Sequence, residues 1–138
     1  MRRRFPDGTF DTTRTAISSS GFMSYPQIAV RSDGAIFVVW NEPQIPPQYR
    51  FSTDGGVTWS STGSIGNVVL INQAAISAGP NGAVGVAFGG NNGHIYAAFW
   101  NGSGFTVEDV NSLPGHERIF CRSDDRLCIR RYRLCCLA

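Results

Sequence analysis

The side chains in this sequence that could bind a charged ligand are few, and two arginines are the first to consider. Arg31 ends an apolar run, and Arg50 lies in the run that leads into a glycine turn. A guanidinium binds carboxylates with paired hydrogen bonds, so either residue could hold an anion. The alternative is an arginine that faces water or bonds a turn, which is more common. Glu42, in a proline-rich loop, is interpreted as facing water.

Other reactive side chains lack the spacing that metal or phosphate sites require. His94 and His116 lie far apart in predicted loops, and neither has a second ligand at metal-binding spacing. The GGNNG stretch at residues 89–93 precedes a strand-like run instead of a helix, which argues against a phosphate-binding loop. The sequence therefore predicts no catalytic residue, no metal site and no cofactor.

Short apolar runs separated by turn residues predict an antiparallel β meander. Between residues 25 and 59 the runs are YPQIAV, AIFVVW, QYRFS and VTW, rich in β-branched and aromatic residues. The intervening SDG and TDGG are typical hairpin turns. The same order recurs about 47 residues later in AAISAGPNGAVGVAFGGNNGHIYAAFWNGSGFT, where Ile76 matches Ile28 and Gly82 matches Gly34.

A period of roughly 40 to 50 residues with four strands per repeat is typical of the blades of a β-propeller. We therefore predict an all-β fold of antiparallel four-stranded blades, incomplete because about two blades cannot close a ring. A β-sandwich built from similar hairpins is the alternative. We divide the chain into four segments. Residues 1–24 are a leading segment that contains FPDGTFDT, the last strand of a preceding blade. A first blade at 25–66, with the Asp-box-like pattern described below, is followed by a second, degenerate blade at 67–115 and a tail at 116–138.

The tail differs from the repeat in composition, because arginine and all four cysteines are concentrated there. Cys121, Cys128 and Cys135 recur every seventh residue, which would place them on one face of a helix. No zinc class has that spacing. We interpret the tail as an appendage or as the product of a truncated or shifted reading frame, and a binding helix is the alternative.

The most specific pattern in the sequence lies at residues 52–59, which read STDGGVTW. The pattern S-x-D-x-G-x-T-W is filled by Ser52, Asp54, Gly56, Thr58 and Trp59. It resembles the Asp-box of the BNR repeats in sialidases and related glycosidase and binding propellers. The preceding PQIAVRSDGAIFVVWNE is similar to the inner strands of the same blades, so the resemblance covers roughly residues 5 to 110. In that family the box lies between the third and fourth strands of a blade, away from the catalytic face, and its role is structural.

The residue types of this stretch support a structural role independently. Asp54 can accept hydrogen bonds from backbone N–H groups across the turn, and Gly56 can take a conformation that a side chain would forbid. Thr58 and Trp59 are predicted to begin the fourth strand, with the indole folded back over the hairpin as a staple. A sugar-stacking platform is the alternative for Trp59.

The resemblance implies a protein that processes or binds glycans. Sialidases use a tyrosine nucleophile with a glutamate, an acid/base aspartate and three arginines. This sequence has no F/Y-R-I-P motif, since Tyr25 is followed by Pro26 and Gln27, so no catalytic residue is carried over. We expect a propeller fragment without autonomous catalysis. The alternatives are an oligomeric lectin-like propeller, completed by other copies of the chain, and a part of an exo-sialidase or other glycoside hydrolase.

A carbohydrate is the ligand that this resemblance implies, held in pockets between blades. The residues expected to contact it are Arg31, Arg50, Trp40, Tyr96 and Trp100. The charge distribution argues against nucleic acid, because residues 5–115 contain three arginines against seven acidic residues. No stretch approaches the roughly 20 apolar residues of a membrane span, and no apolar run follows MRRR. We expect a soluble chain with no membrane partner, no signal peptide and an undefined compartment.

Overall fold

The chain folds into two four-stranded antiparallel β-sheets, described by a computed structural model for residues 2–70 and 73–112. Sheet 1 consists of β1 (Ser24–Val30), β2 (Ile36–Asn41), β3 (Gln48–Ser52) and β4 (Gly63–Ser64). Sheet 2 consists of β5 (Ala75–Ala78), β6 (Val84–Gly89), β7 (Ile95–Trp100) and β8 (Phe105–Asp109). Each strand pairs with the next, so both sheets are meanders, and the predicted all-β class with antiparallel four-stranded units is confirmed.

Helical structure in the described ranges is limited to two short 3-10 turns, Pro80–Gly82 and Val110–Ser112. Neither of these turns has the length or the apolar character that crossing a bilayer would require.

The apolar patterns of the strands explain which of them are central. β2, with the sequence IFVVWN, is buried on both faces, as its unbroken run of apolar residues requires. β6 and β7 alternate between buried and more exposed positions, which is typical of strands with one covered face. The central strand β2 of sheet 1 is therefore covered on both faces, whereas β6 and β7 of sheet 2 are covered on one.

The core lies between the two sheets and is rich in aromatic rings. Trp100 of β7 meets Phe37 of β2 edge to face at 5.1 Å between ring centroids, and Phe51 of β3 at 5.0 Å. Phe105 of β8 meets Tyr49 of β3 at 5.0 Å. Edge-to-face pairs at such distances add to the stability gained from burial alone. These rings hold sheet 1 and sheet 2 together.

The internal repeat is visible in the strand registers. In sheet 1 Ile28 pairs with Val38, and in sheet 2 Ile76 pairs with Val86, which are the matched positions of the repeat. The turns before β2 and β6 both place a glycine at positive φ, Gly34 at 85° and Gly82 at 75°. The two sheets are thus equivalent strand by strand through the first three strands.

Equivalent faces of the two sheets point in the same direction. Val86 and Phe88 of β6 pack into the core between the sheets. Their counterparts Val38 and Trp40 of β2 lie on the opposite side of sheet 1, where they pack against Ile17 and Trp59. Sheets stacked in this way are related head to tail, because a two-fold sandwich would bring equivalent faces together.

Head-to-tail stacking leaves one outer face at each end of the pair. The leading face belongs to sheet 1 and carries Val38 and Trp40, with Ile28 and Val30 more exposed at 54% and 58%. The trailing face belongs to sheet 2 and is made mostly of small residues with two exposed large ones, Ile95 at 51% and Phe99 at 52%. Its members are Ala75, Ser77, Gly85, Ala87, Ile95, Ala97, Phe99, Thr106 and Glu108.

The predicted fourth strand of the first blade is misplaced. VTW at residues 57–59 forms no strand, because the N–H groups of Val57 and Thr58 bond the carboxylate of Asp54 instead of a neighbouring strand. The strand is β4, where Gly63 pairs with Tyr49. A Cβ at Gly63 would lie 2.5 Å from the Tyr49 ring, so only glycine permits this approach.

The leading segment is described by the structure, whereas the tail is not. The leading FPDGTFDT forms a turn closed by a single bridge between Arg4 and Phe10, and not a full strand. Ile17, later in the same segment, is buried against the leading face. The predicted tail at 116–138, with its cysteines, lies outside the described residues.

We expect Phe37→Ala to lower the free energy of unfolding by about 3–5 kcal/mol, because Phe37 is 1% exposed at the centre of the aromatic core. Urea denaturation followed by tryptophan fluorescence measures the change. Phe22→Ala is the matched control, since Phe22 is 76% exposed, and it should change stability by less than about 0.5 kcal/mol. Equal effects of the two substitutions would show that the aromatic core does not hold the sheets together.

Candidate functional site

The turn at residues 52–59 is organised by the carboxylate of Asp54. Its Oδ1 accepts hydrogen bonds from the backbone N–H of Val57 at 3.0 Å and of Thr58 at 2.9 Å. The Thr58 hydroxyl donates to Oδ2, and the buried Ser52 hydroxyl donates to Oδ1 at 2.7 Å. Ser52 Oγ also accepts from the N–H of Gly56 at 2.9 Å. Every polar residue of the pattern therefore bonds within the turn itself.

Trp59 is attached to the same turn and to the leading face. Its Nε1–H donates to the carbonyl of Gly56 at 3.1 Å, and its ring packs against the cluster of Ile17, Val38 and Trp40. Gly56 has a φ of 87°, which L-residues rarely adopt, and a Cβ there would also touch the indole. The indole is half-buried, so it covers apolar surface of sheet 1.

These donors also fix the charge state of the turn. The hydroxyl and the N–H of Thr58, followed by the hydroxyl of Ser52, hold the pKa of the Asp54 carboxyl well below its ordinary value of 3.8. An ionised carboxylate accepts more hydrogen bonds than a neutral acid, so the bonds and the charge stabilise each other.

The two candidate anion-binding arginines are held by groups of the chain. Arg31 makes a paired interaction with Asp33, at 3.2 Å from Nε and 2.6 Å from a terminal nitrogen. Arg50 donates from Nε to the carbonyl of Ser60 and from a terminal nitrogen to that of Ile17 at 3.1 Å. The structure thus places one arginine in an ion pair and the other as a brace between β3 and the leading segment.

The three aromatic residues expected to contact sugar lie in separate environments. Trp40 is fully buried and donates its indole N–H to Glu42 at 2.9 Å. Tyr96 is 7% exposed, stacks on Phe88, and its hydroxyl accepts a hydrogen bond from Asn92 at 2.7 Å. Trp100 is half-buried in the core between the sheets. The structure does not bring these rings and the two arginines together at one surface.

A different group of residues surrounds a cleft of about 460 Å³ at one end of sheet 1, a size common among small-molecule sites. The start of β1 and the end of β2 contribute one group of lining residues, and Leu70 and Gln73 contribute the other. The lining residues are Ser24, Tyr25, Asn41, Glu42, Pro43, Leu70 and Gln73.

Glu42 is fixed within this cleft. Its Oε1 accepts from Trp40 Nε1 at 2.9 Å and from the Ser18 hydroxyl at 3.1 Å. The Trp40 N–H, together with the hydroxyls of Ser20 and Ser18, lowers the pKa of the carboxyl. The side chain is half-buried and ionised at neutral pH, which replaces the solvent-facing role that the sequence suggested.

The backbone at the mouth of the cleft is strained. Tyr25 has a φ of 49°, although it precedes a proline, which normally requires an extended conformation. The register of β1 shifts between Ser24 and Gln27, so Tyr25 lies in a bulge with its side chain 61% exposed. Gln44, just beyond Pro43, has a φ of 64°. Two of the three non-glycine residues with positive φ in the described ranges thus flank this cleft.

His94, the histidine within the described residues, is paired with an aspartate. Nδ1 of His94 lies 2.6 Å from Asp109, and this contact lowers the pKa of the aspartate. No group of three or more histidine, cysteine, aspartate or glutamate residues comes together in residues 2–70 and 73–112.

We expect Asp54→Asn to destabilise the protein at neutral pH, because an amide presents N–H donors to the donors of Thr58. The folded-state pKa of Asp54 is depressed, so its contribution is fully present above pH 3.8 and declines as the pH falls below that value. The difference in Tm between the two proteins should therefore narrow between pH 4 and pH 2. Thr53→Ala, at an exposed position of the same turn, is the control and should change Tm little. A gap that stays constant down to pH 2 would contradict this account.

The described chain thus presents a self-bonded turn on one side of sheet 1 and a polar cleft at one end of it. No protein-family model matches this sequence, and no curated protein is significantly similar to it.

Proposed function

We propose that this chain is a non-catalytic unit of a β-propeller of the sialidase-like, Asp-box type, with a role in binding glycans. The observation that carries the proposal is the head-to-tail stacking of the two sheets, with Val38 and Val86 on faces that point the same way. Such an interface propagates from sheet to sheet and generates a ring when the rotation closes. A propeller is the architecture in which four-stranded meanders are related in this way.

The geometry of residues 52–59 supports the same assignment. The carboxylate of Asp54 closes a turn between β3 and β4, the position that an Asp-box occupies in a propeller blade. Its polar groups bond one another, so the stretch contributes to stability and not to chemistry. Trp59 extends this role by covering the leading face of sheet 1.

A binding role is favoured over hydrolysis by the placement of the arginines. A sialidase clamps the carboxylate of its substrate with arginines, whereas Arg31 bonds Asp33 and Arg50 bonds backbone carbonyls. Releasing either side chain would break existing interactions of this chain. The alternative that the chain is part of an exo-sialidase would need an anion clamp from residues elsewhere.

Completion of a ring by further copies of this chain is favoured by the two outer faces. The leading face exposes Ile28 and Val30, and the trailing face exposes Ile95 and Phe99. Phe99 occupies the position of Phe51, which in sheet 1 packs against the neighbouring sheet. The trailing face of one copy would pack on the exposed part of the next copy's leading face, around Ile28 and Val30, because Ile17 and Trp59 already cover Val38 and Trp40. A lectin-like homo-oligomer is therefore the form of the proposal that the exposed surfaces favour.

Solution mass measured by light scattering tests the assembly. We expect one discrete oligomer, and Phe99→Glu should convert it to monomer with an unchanged far-UV circular dichroism spectrum, since a charge on the trailing face cannot be buried without a partner. Phe22→Glu, at an exposed phenylalanine in the turn before β1 and outside the strands, should leave the oligomer intact. A wild-type monomer, or an oligomer insensitive to Phe99→Glu, would contradict closure through the trailing face.

Activity measurements separate the binding role from the enzymatic alternative. We expect no saturable hydrolysis of a fluorogenic sialoside by the purified chain. Saturable cleavage that disappears in the double variant Arg31→Ala, Arg50→Ala would replace the proposal with a sialidase.

A further inference from the structure

The cleft lined by Tyr25 and Glu42 has the features of a ligand site, and the candidate sugar-contacting residues derived from the sequence do not line it. An exposed tyrosine ring stands at its mouth, and an oriented carboxylate and the amide of Asn41 lie on its wall. The strain at Tyr25 supports a functional origin, because a tyrosine before proline has no local reason to adopt a φ of 49°. Strained residues of this kind cluster at ligand sites, where the surroundings hold them in place.

We propose that this cleft binds an uncharged, polyhydroxylated ligand, a neutral saccharide, with Tyr25 as the platform for its apolar face and Glu42 as the acceptor for its hydroxyl groups. The inference rests on the proposed glycan-binding role and identifies the site and the ligand class. It excludes sialic acid and other acidic sugars from this cleft.

The charge of the cleft carries the exclusion of acidic ligands. Among the described residues that line the cleft, Glu42 is the charged one and none is an arginine, a lysine or a histidine. An ionised carboxylate accepts hydrogen bonds and donates none, so it suits a hydroxyl and repels a second carboxylate. The indole N–H of Trp40 and the hydroxyls of Ser18 and Ser20 already bond this carboxylate, which has about four acceptor sites in all, so acceptor capacity is left for a ligand.

The fixed position of Glu42 makes the site preorganised. The buried indole of Trp40 and the hydroxyl of Ser18 hold the carboxylate before any ligand arrives, so binding need not order this side chain. The bulge in β1 presents the Tyr25 ring at the mouth of the cleft, and an aromatic ring with a polar tip suits a ligand that has both C–H and hydroxyl surfaces.

The bond between Trp40 and Glu42 provides a spectroscopic reporter. In ¹H–¹⁵N spectra of the full chain, the indole N–H signal of Trp40 should shift when a saccharide contacts Glu42. The probes are lactose and N,N′-diacetylchitobiose as neutral sugars, with sialyllactose as the acidic counterpart of lactose. We expect a neutral sugar to shift the Trp40 signal and sialyllactose to bind at least about tenfold more weakly than lactose.

Variants of the two key residues complete the test. Tyr25→Asn removes the ring but tolerates a positive φ, so it should keep the fold and weaken binding about tenfold, whereas Tyr25→Phe should bind within about threefold of wild type. Phe22→Ala is the control at an exposed aromatic that does not line the cleft. Glu42→Gln keeps an acceptor for Trp40 but removes the charge, and it should abolish the discrimination against sialyllactose.

The outcomes distinguish the failure of this inference from that of the proposed function. Neutral sugars that bind equally well to Tyr25→Asn would place the glycan site elsewhere and overturn the cleft alone. Stronger binding of sialyllactose than of lactose at this cleft would overturn the ligand class. Absence of binding to every oligosaccharide on a broad glycan array would overturn the cleft and the glycan-binding role together.

Discussion

A four-stranded sheet has two faces, and the arrangement of this chain follows from the need to cover both of them. Sheet 2 covers one face of sheet 1 through the aromatic rings around Trp100 and Phe37. The other face of sheet 1 is covered in part by Ile17 and Trp59, which are contributed by a leading segment and a turn and not by a sheet. The trailing face of sheet 2 has no such cover among the described residues. Head-to-tail stacking leaves two such outer faces, and these are the surfaces through which the proposed ring would close.

The same stacking explains why two sheets with a common repeat differ in composition. Phe37 and Val39 of β2 face the aromatic core, whereas their counterparts Gly85 and Ala87 of β6 lie on the trailing face. The face of sheet 1 with Phe37 and Val39 is filled by the large rings of sheet 2. The trailing face of sheet 2, with Gly85 and Ala87, has room for rings that protrude from another surface. Phe99 lies against Gly85 on that face and keeps one large side chain exposed.

The local patterns predicted most of the fold, and the exceptions are those that depend on distant contacts. The runs of β1 to β3 and β5 to β8 could be recognised because apolar periodicity and turn residues act over a few positions. β4 could not, since Gly63 and Ser64 carry no apolar pattern and the pairing depends on the close approach of Tyr49. Trp40 and Tyr96 were expected to meet sugar, but an aromatic residue in a strand gives no indication of which face will be covered. The positive φ of Tyr25 could not be predicted either, because its position before a proline indicates an extended backbone.

The turn and the cleft use carboxylates in opposite ways. The carboxylate of Asp54 accepts hydrogen bonds from Thr58, Val57 and Ser52, all within the same turn. Its acceptor sites are therefore occupied and are not available to a ligand. Glu42 accepts hydrogen bonds from Trp40, Ser18 and Ser20, and it also lines the cleft. The sequence marks the first carboxylate, because a turn must encode its own hydrogen bonds locally. The second becomes visible only when β2, the leading segment and the bulge of β1 are brought together. The residues of the Asp-box-like pattern and those that line the cleft are therefore different in this chain, and under the proposed function the charge at the cleft limits the ligand more strongly than the pattern does.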